Sequence, residues 1–264
     1  GGTTTPGGST SGGSTSGGTE TPSTPETKGD VVTTLDELNK KLEESKKSET
    51  ALTITYKSDA KENIEIPEDT YNNVTLVIDA PNATITNKAK FAKVELKRIA
   101  TNTWIEKTTG NLIDIVAPNV HIQIPENCSA KIAISKAVDA AVTSSNVKID
   151  NNGQIECLTI SSQADVKIGG TSNGIVPVQT NSEGVSIVTT CPVQVTAEKS
   201  MTLDLQGNAS NGSSVTVAND SVKANIRGVG KVTVTNAETR YQSEVMAEPS
   251  QNTSSDPATV SKAK

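Results

Sequence analysis

The chain has 264 residues, of which only 33% are hydrophobic and 2% aromatic, a low apolar content for an ordinary globular core. Its 24 basic and 30 acidic residues give a formal net charge of −6 at pH 7. A nucleic-acid-binding protein needs a concentrated basic surface, and a membrane span needs about 20 consecutive apolar residues, so the composition argues against both classes.

Residues 1–30 are predicted to form a flexible linker. The segment is rich in Gly, Ser, Thr and Pro and contains no aliphatic or aromatic residue, so it can bury nothing that would offset its loss of conformational entropy. It resembles the tract that follows the lipidated cysteine in bacterial surface lipoproteins. That resemblance implies an extracellular protein whose only membrane association is a lipid anchor upstream of residue 1. An interdomain linker is the alternative.

Residues 31–49 are predicted to form a capping helix. Thr34 and Glu37 have the spacing of a capping box. Three leucines at i, i+3 and i+7 share one face of the helix: Leu35, Leu38 and Leu42. We expect this face to cover the open hydrophobic end of the β region that follows, because three leucines are too narrow a stripe for a membrane-binding helix.

Residues 50–237 repeat a short apolar-x-apolar alternation about every 19 residues, with Asn, Gly, Ser and Asp between the alternations. This pattern is typical of strands and turns. One series starts at Leu76, Val94, Ile113, Ile132, Val147, Val166, Val185, Leu203 and Val222, and a second at Leu158, Val176, Val193, Val215 and Val232. The 15-residue step from Ile132 to Val147 fits poorly, and it leaves the register around residues 135–146 open.

Such a repeat is typical of a β-solenoid, whose coils bury their inward rows only by stacking on one another. The chain resembles the pectin-lyase-like surface lipoproteins of gut bacteria. The predicted fold is therefore all-β, a single-stranded right-handed parallel β-helix of nine or ten coils, each rising about 4.8 Å. The sequence does not keep the six-residue period of a left-handed hexapeptide helix, and a β-sandwich is the remaining alternative.

Residues 238–264 are polar and interrupted by proline. They are predicted to form either a C-terminal cap or a disordered tail. The cap would cover the last coil through Tyr241, Val245 and Met246. Some cover is expected there, because an exposed terminal coil presents an open sheet edge.

The resemblance implies a polysaccharide lyase or a glycoside hydrolase, but the residues that such enzymes use are missing. The sequence has no Asp-Asp pair, and its only histidine, His121, alternates with apolar neighbours. The turn that starts at Asp150 lacks the glutamate that ends a calcium loop, and three cysteines with one histidine do not make a zinc site. We therefore predict no catalytic residue, no metal site and no cofactor; a divergent enzyme of this fold is the alternative.

The predicted ligand-binding residues combine positive charge with an aromatic ring: Lys93, Lys97, Arg98, Trp104 and Lys107. No aromatic residue occurs between residues 105 and 240, so the rest of the solenoid offers no platform for stacking a sugar. A basic cluster is suited to an acidic polysaccharide or to a host or cell-wall glycan. The alternative is a solvated face above a packed Phe91 and Trp104. The predicted function is a non-enzymatic, adhesin-like or glycan-contacting scaffold on a flexible tether.

Overall fold

The computed structural model of the protein describes Gly2 and residues 29–99, 104–135 and 145–247. Nearly all of the predicted linker and residues 248–264 of the predicted C-terminal segment lie outside these residues. Most of the segment whose register the repeat leaves open, residues 136–144, lies outside them as well.

The described residues form strands almost throughout, with two short helices. In chain order the elements are β1 (Asp30–Val32), α1 (Leu35–Ser45), β2 (Leu52–Lys57), β3 (Asn63–Ile66), β4 (Thr70–Ala80), β5 (Thr84–Asn87), β6 (Lys90–Ile99), β7 (Trp104–Glu106), β8 (Asn111–Ile115), β9 (Asn119–Ile124), β10 (Ser129–Ile134), β11 (Ser145–Asn151), β12 (Gln154–Ile160), β13 (Ala164–Gly169), β14 (Val176–Thr180), β15 (Val185–Thr189), β16 (Val193–Ala197), β17 (Met201–Leu205), a 3₁₀ helix (Gly207–Ser210), β18 (Ser214–Val217), β19 (Ala224–Gly228), β20 (Lys231–Asn236) and β21 (Gln242–Met246).

The strands stack into two sheets that run the length of the molecule. The even-numbered strands β2 to β20 form sheet A, to which β1 and β21 add at the two ends, and the odd-numbered strands β3 to β19 form sheet B. All neighbouring strands are parallel except the last pair, β20 and β21. Each coil therefore contributes one strand to each sheet, and the predicted parallel β-solenoid is confirmed.

Strand pairing explains the poor fit in the predicted repeat. In sheet A, Ile113 pairs with Ile132, a step of 19 residues, and Ile132 pairs with Leu158, a step of 26. Val147 lies in sheet B, where it pairs with Val120. The first predicted series thus passes from sheet A to sheet B between Ile132 and Val147. The step of 15 residues does not mark a short coil, because the coil from Ile132 to Leu158 is longer than the others. Strands of both sheets carry the same alternation, which is why the sequence pattern does not distinguish them.

The core is a single column of side chains inside the coils, most of them aliphatic. In β11, for example, Val147 and Ile149 point inward and are 2% and 0% exposed, while Lys148 between them is exposed. Full burial of an aliphatic side chain of this size contributes about 1.5–3 kcal/mol. A narrow core of this kind needs few apolar residues per coil, which accounts for the low hydrophobic content of the chain.

Helix α1 covers the N-terminal end of this core. Leu38 and Leu42 are fully buried, and the helix lies against β1, β2 and β4. The helix begins after Thr34, whose Oγ accepts a hydrogen bond from the backbone N–H of Glu37 at 3.2 Å. The helix is shorter than the predicted segment 31–49 because the residues before it form strand β1.

The N-cap hydrogen bond allows a direct test. Replacing Thr34 with alanine is expected to lower the free energy of unfolding by about 1 kcal/mol, because one backbone N–H at the helix start loses its partner. Thr34→Ser keeps the hydroxyl and is the matched control, with stability close to that of the wild type. Urea denaturation followed by circular dichroism measures both. Equal stability of the alanine and serine variants would show that this cap does not stabilise the helix.

At the C-terminal end, β21 pairs antiparallel with β20, with Val245 opposite Val232. Of the three residues named for a C-terminal cap, Val245 packs against the core, Tyr241 is half-buried and Met246 is 59% exposed. Among the described residues, β19 at the end of sheet B pairs only with β17. No helix within these residues is long and apolar enough to cross a membrane.

Candidate functional site

Three of the predicted ligand-binding residues, Lys93, Lys97 and Arg98, lie on β6 at the outer surface of sheet A. Lys93 Nζ is 3.7 Å from Glu95 Oε2, and Arg98 forms an ion pair with Asp79. Its hydrogen bond to Asp79 raises the pKa of Arg98. Lys97 occupies an irregularity in the pairing with β4 and is exposed. Two of the three cations therefore already have a carboxylate neighbour.

The structure does not bring the other two predicted residues to this surface. Trp104 points into the core from sheet B and is fully buried, in register with Ile85 and Ile122. Lys107 follows β7 and is exposed, with its backbone N–H donating to the carbonyl of Asn87 at 2.8 Å. The alternative arrangement, with Trp104 packed beneath the surface, is the one observed. Ligand binding by the exposed lysines stays a prediction.

A better-formed depression lies on the outer face of sheet B, across β9, β11, β13 and β15. Its volume is about 480 Å³. The lining consists of Asn119, Val120, His121, Asn146, Val147, Lys148, Asp165, Val166, Lys167, Ser186 and Val188. We call this depression the sheet B groove. Outward polar side chains project around it. Among its valines Val188 is half-buried, whereas Val120, Val147 and Val166 belong to the core and are each 2% exposed.

Lys148 and Lys167 are next to each other in the sheet B groove. They are paired in register on β11 and β13, so their backbones are about 4.8 Å apart. Both side chains are exposed. Among the described residues, neither lysine has a carboxylate within ion-pairing distance. Two lysines on adjacent strands without an ion-pair partner favour the binding of an anion, since like charges in adjacent positions repel each other when no anion is bound.

His121 and Asp150 form a polar pair beside the lysines. His121 Nε2 lies 2.7 Å from Asp150 Oδ2, and the two side chains are 5% and 33% exposed. A carboxylate only accepts hydrogen bonds, so the Nε2 atom donates. His121 also stands in register with Lys148. The hydrogen bond directs Asp150 toward the imidazole and holds His121 on the strand face.

The remaining lining residues are neutral except Asp165, which is exposed. The Asn146 Nδ2 donates to Asn119 Oδ1 at 3.2 Å. Ser186 adds a hydroxyl, and Val188 is half-buried and offers an apolar surface in register with Lys167. Amide and hydroxyl groups both donate and accept hydrogen bonds, so this part of the sheet B groove complements a ligand that carries hydroxyl groups and some C–H surface.

The described residues that line the sheet B groove include no cysteine and no cluster of metal ligands. In the part of the chain that the structure describes, no three His, Cys, Asp or Glu side chains gather in a way that would hold a metal ion. Cys128, Cys157 and Cys191 are all free thiols. Burial raises the pKa of Cys128 and Cys191, so these two thiols are less reactive than an exposed one.

Sequence reasoning missed the sheet B groove, although a signal for it was present. Lys148 and Lys167 are 19 residues apart, one repeat, and each lies between two inward aliphatic residues. A cation at the same position of two consecutive coils predicts a stacked pair on the outer face. No protein-family model, curated protein or solved structure matches the chain. A solenoid fold alone does not specify a function, which depends on a site such as the sheet B groove.

Proposed function

We propose that the protein is a non-enzymatic β-solenoid of the cell surface that contacts an acidic glycan through the sheet B groove. The observation that carries the proposal is the pair formed by Lys148 and Lys167, which stand in register without an ion-pair partner among the described residues. Their backbones are one strand spacing apart, about 4.8 Å, so the two flexible side chains can reach the same carboxylate. Val188 and the neighbouring amides would contact the ring and hydroxyls of the sugar.

Two sequence features support this function. The resemblance to pectin-lyase-like β-helices favours an acidic polysaccharide as the ligand, since enzymes of that class act mostly on such polymers. The Gly/Ser/Thr/Pro tract in residues 1–30 favours a tethered scaffold. Attachment to the outer surface of a bacterium by a lipid stays a prediction, which a lipid-modified cysteine upstream of residue 1 would support.

Removing both charges of the lysine pair tests the proposal. The double variant Lys148→Gln/Lys167→Gln is expected to bind polygalacturonate about tenfold more weakly than the wild type, as removal of two exposed charge contacts implies. Wild-type binding should also weaken as salt is added, because the contacts are exposed to solvent. Isothermal titration calorimetry at low ionic strength measures both effects, with dextran as the neutral polysaccharide.

Lys93→Gln/Lys97→Gln is the matched control, because it removes two lysines from β6 on sheet A and changes the net charge by the same amount. Its affinity should remain that of the wild type. Loss of binding in the sheet A variant alone would move the ligand to the surface predicted from the sequence. If wild-type protein does not bind any acidic polysaccharide, the proposed function is wrong.

An assay for unsaturated sugar products distinguishes binding from catalysis. We expect no turnover of polygalacturonate or glycosaminoglycans, since the imidazole of His121 is almost fully buried and is already bonded to Asp150. Turnover that is lost in His121→Asn would contradict the non-enzymatic function and would favour a divergent polysaccharide lyase.

A further inference from the structure

The sheet B groove carries a carboxylate beside its two lysines. Asp165 stands on β13, two residues before Lys167 and on the same outward face. Strand register places Asp165 beside Asn146 on β11, just as it places Lys167 beside Lys148. Two residues along a strand are about 7 Å apart, so the carboxylate and the lysine pair occupy neighbouring positions of one depression. The groove therefore has separate places of negative and positive charge.

Asp165 has no charged partner of its own. Its side chain is exposed, and among the described residues no basic side chain lies within ion-pairing distance of its carboxylate. A second carboxylate flanks the lysines on the other side. This is Asp150, two residues beyond Lys148 on β11, which is already hydrogen-bonded to His121 Nε2 at 2.7 Å. Of these two flanking carboxylates, Asp165 is the one left for a charged group of a ligand.

The side chains on either side of Asp165 add hydrogen-bond acceptors. Ser186 on β15 pairs in register with Asp165, on the side opposite Asn146. Asn146 Nδ2 donates to Asn119 Oδ1, so the amide oxygen of Asn146 is the atom that can accept a hydrogen bond from a ligand. An ammonium group donates through three N–H bonds. The carboxylate, the amide oxygen and the serine hydroxyl together offer it three acceptors, one of them charged.

We propose that the acidic glycan also carries a free amine, with a carboxylate of the sugar at Lys148 and Lys167 and the ammonium group at Asp165. This inference rests on the proposed function and specifies the chemical class of its ligand. A uniform polyanion brings a second carboxylate close to Asp165, and like charges at that separation repel each other. An amino sugar linked to a uronic acid carries both charges on neighbouring rings. Asp165 thus selects a zwitterionic saccharide by repelling its purely anionic counterpart.

Hyaluronan oligosaccharides provide a matched pair of ligands for the full chain. In the acetylated form every glucosamine is neutral, whereas after de-N-acetylation the same oligosaccharide alternates amines with carboxylates. The wild type is expected to bind the de-N-acetylated form about fivefold more tightly, as one added exposed charge contact implies. Isothermal titration calorimetry at low ionic strength and at about pH 6, where the amine is protonated, measures this preference.

Three variants locate the contact. Asp165→Asn keeps the shape of the side chain without its charge, so it should lose the preference while its affinity for the acetylated form does not fall. Lys148→Gln/Lys167→Gln should weaken binding of both forms. Glu198→Gln removes an exposed carboxylate just after β16 of sheet A and is the control that keeps the preference of the wild type. All of these changes are at exposed side chains, so the fold should be retained.

The outcomes separate this inference from the proposed function. Equal affinity of the wild type for the two hyaluronan forms, or a preference that survives in Asp165→Asn, would overturn the ammonium contact; binding of polygalacturonate would still support the acidic-glycan site. A peptide of alternating Glu and Lys that binds as tightly as the de-N-acetylated oligosaccharide would overturn the choice of a saccharide. Absence of binding to any acidic polysaccharide would overturn the proposed function itself.

Discussion

Glu106→Gln is expected to make the stability of the protein much less dependent on pH. When the pH is raised from 4 to 8, the wild type should lose about 3 kcal/mol more of its free energy of unfolding than the variant does. The reason is the position of Glu106, whose side chain lies inside the solenoid and is fully buried.

Among the described residues, the hydrogen-bond donors to the Glu106 carboxyl are all neutral. Asn87 Nδ2 donates to Glu106 Oε1 at 2.7 Å. Asn111 Nδ2 lies 3.4 Å from the same oxygen, and Trp104 Nε1 lies 3.4 Å from Oε2. Burial disfavours the charged form and raises the pKa of Glu106 to about 7, although these donors partly oppose the shift. Among the described residues, no cation forms an ion pair with this carboxyl.

The direction of the effect follows from proton linkage. Below the unfolded pKa of 4.5, Glu106 is protonated in both states, so its burial carries no electrostatic penalty. As the pH rises toward 7, the unfolded chain ionises while the folded protein still holds the proton, and the folded state loses stability. Above the folded pKa the penalty is complete. Glutamine carries no proton that titrates in this range, so the variant lacks this loss.

Urea denaturation at several pH values between 4 and 8 measures the difference. The matched control is Glu126→Gln, which changes an exposed carboxylate in the turn between β9 and β10 and should leave the pH profile unchanged. Parallel pH profiles for the wild type and Glu106→Gln would show that the buried carboxyl does not titrate with a raised pKa.

Trp104→Ala is expected to lower the free energy of unfolding by about 3–5 kcal/mol. The indole is the largest fully buried side chain of the described residues, and its register neighbours Ile85 and Ile122 are also fully buried. The strands are held in place by their ladders above and below, so they cannot collapse to fill the space that alanine leaves. Unfolding should be followed by circular dichroism, since Trp104 is the only tryptophan.

Trp104→Phe is the control that separates packing from ligand binding. It keeps an aromatic ring in the core, so its loss of stability should be smaller than that of the alanine variant. Its affinity for polygalacturonate should equal that of the wild type, because the indole does not reach the surface. Weaker binding by a stably folded Trp104→Phe would restore Trp104 to the ligand site predicted from the sequence. A loss below 1 kcal/mol in Trp104→Ala would contradict the packing argument.

The repeat and the capping helix were predictable because their signals are local. Each strand shows its own alternation of inward and outward residues, and α1 shows its N-cap and leucine face within 11 residues. The position of Trp104 was harder to predict from the same information. A tryptophan beside several lysines suggests an exposed platform, and only the direction of β7 within its coil shows that the side chain points inward.

The sheet B groove depends on contacts between residues far apart in the chain. The sequence shows that Lys148 and Lys167 are one repeat apart, but it does not show which row of the solenoid follows residues 135–146. Strand pairing decides this. It assigns Val147 to sheet B and shows that the coil from Ile132 to Leu158 has 26 residues. The alignment of Asn119 with Asn225 through four intermediate coils also follows from that pairing.

The amino-acid sequence by itself determined the alternating strands and the capped helix at the N-terminal end, because alternation and capping depend on neighbouring residues. It favoured a stack of β coils, and the parallel strand pairing decided against the β-sandwich. Only the tertiary structure decided which cations share a surface, which aromatic ring is buried, and where a buried carboxyl lies. Those properties depend on the direction of each strand and on its partners in the coils before and after. They arise only when the coils are stacked.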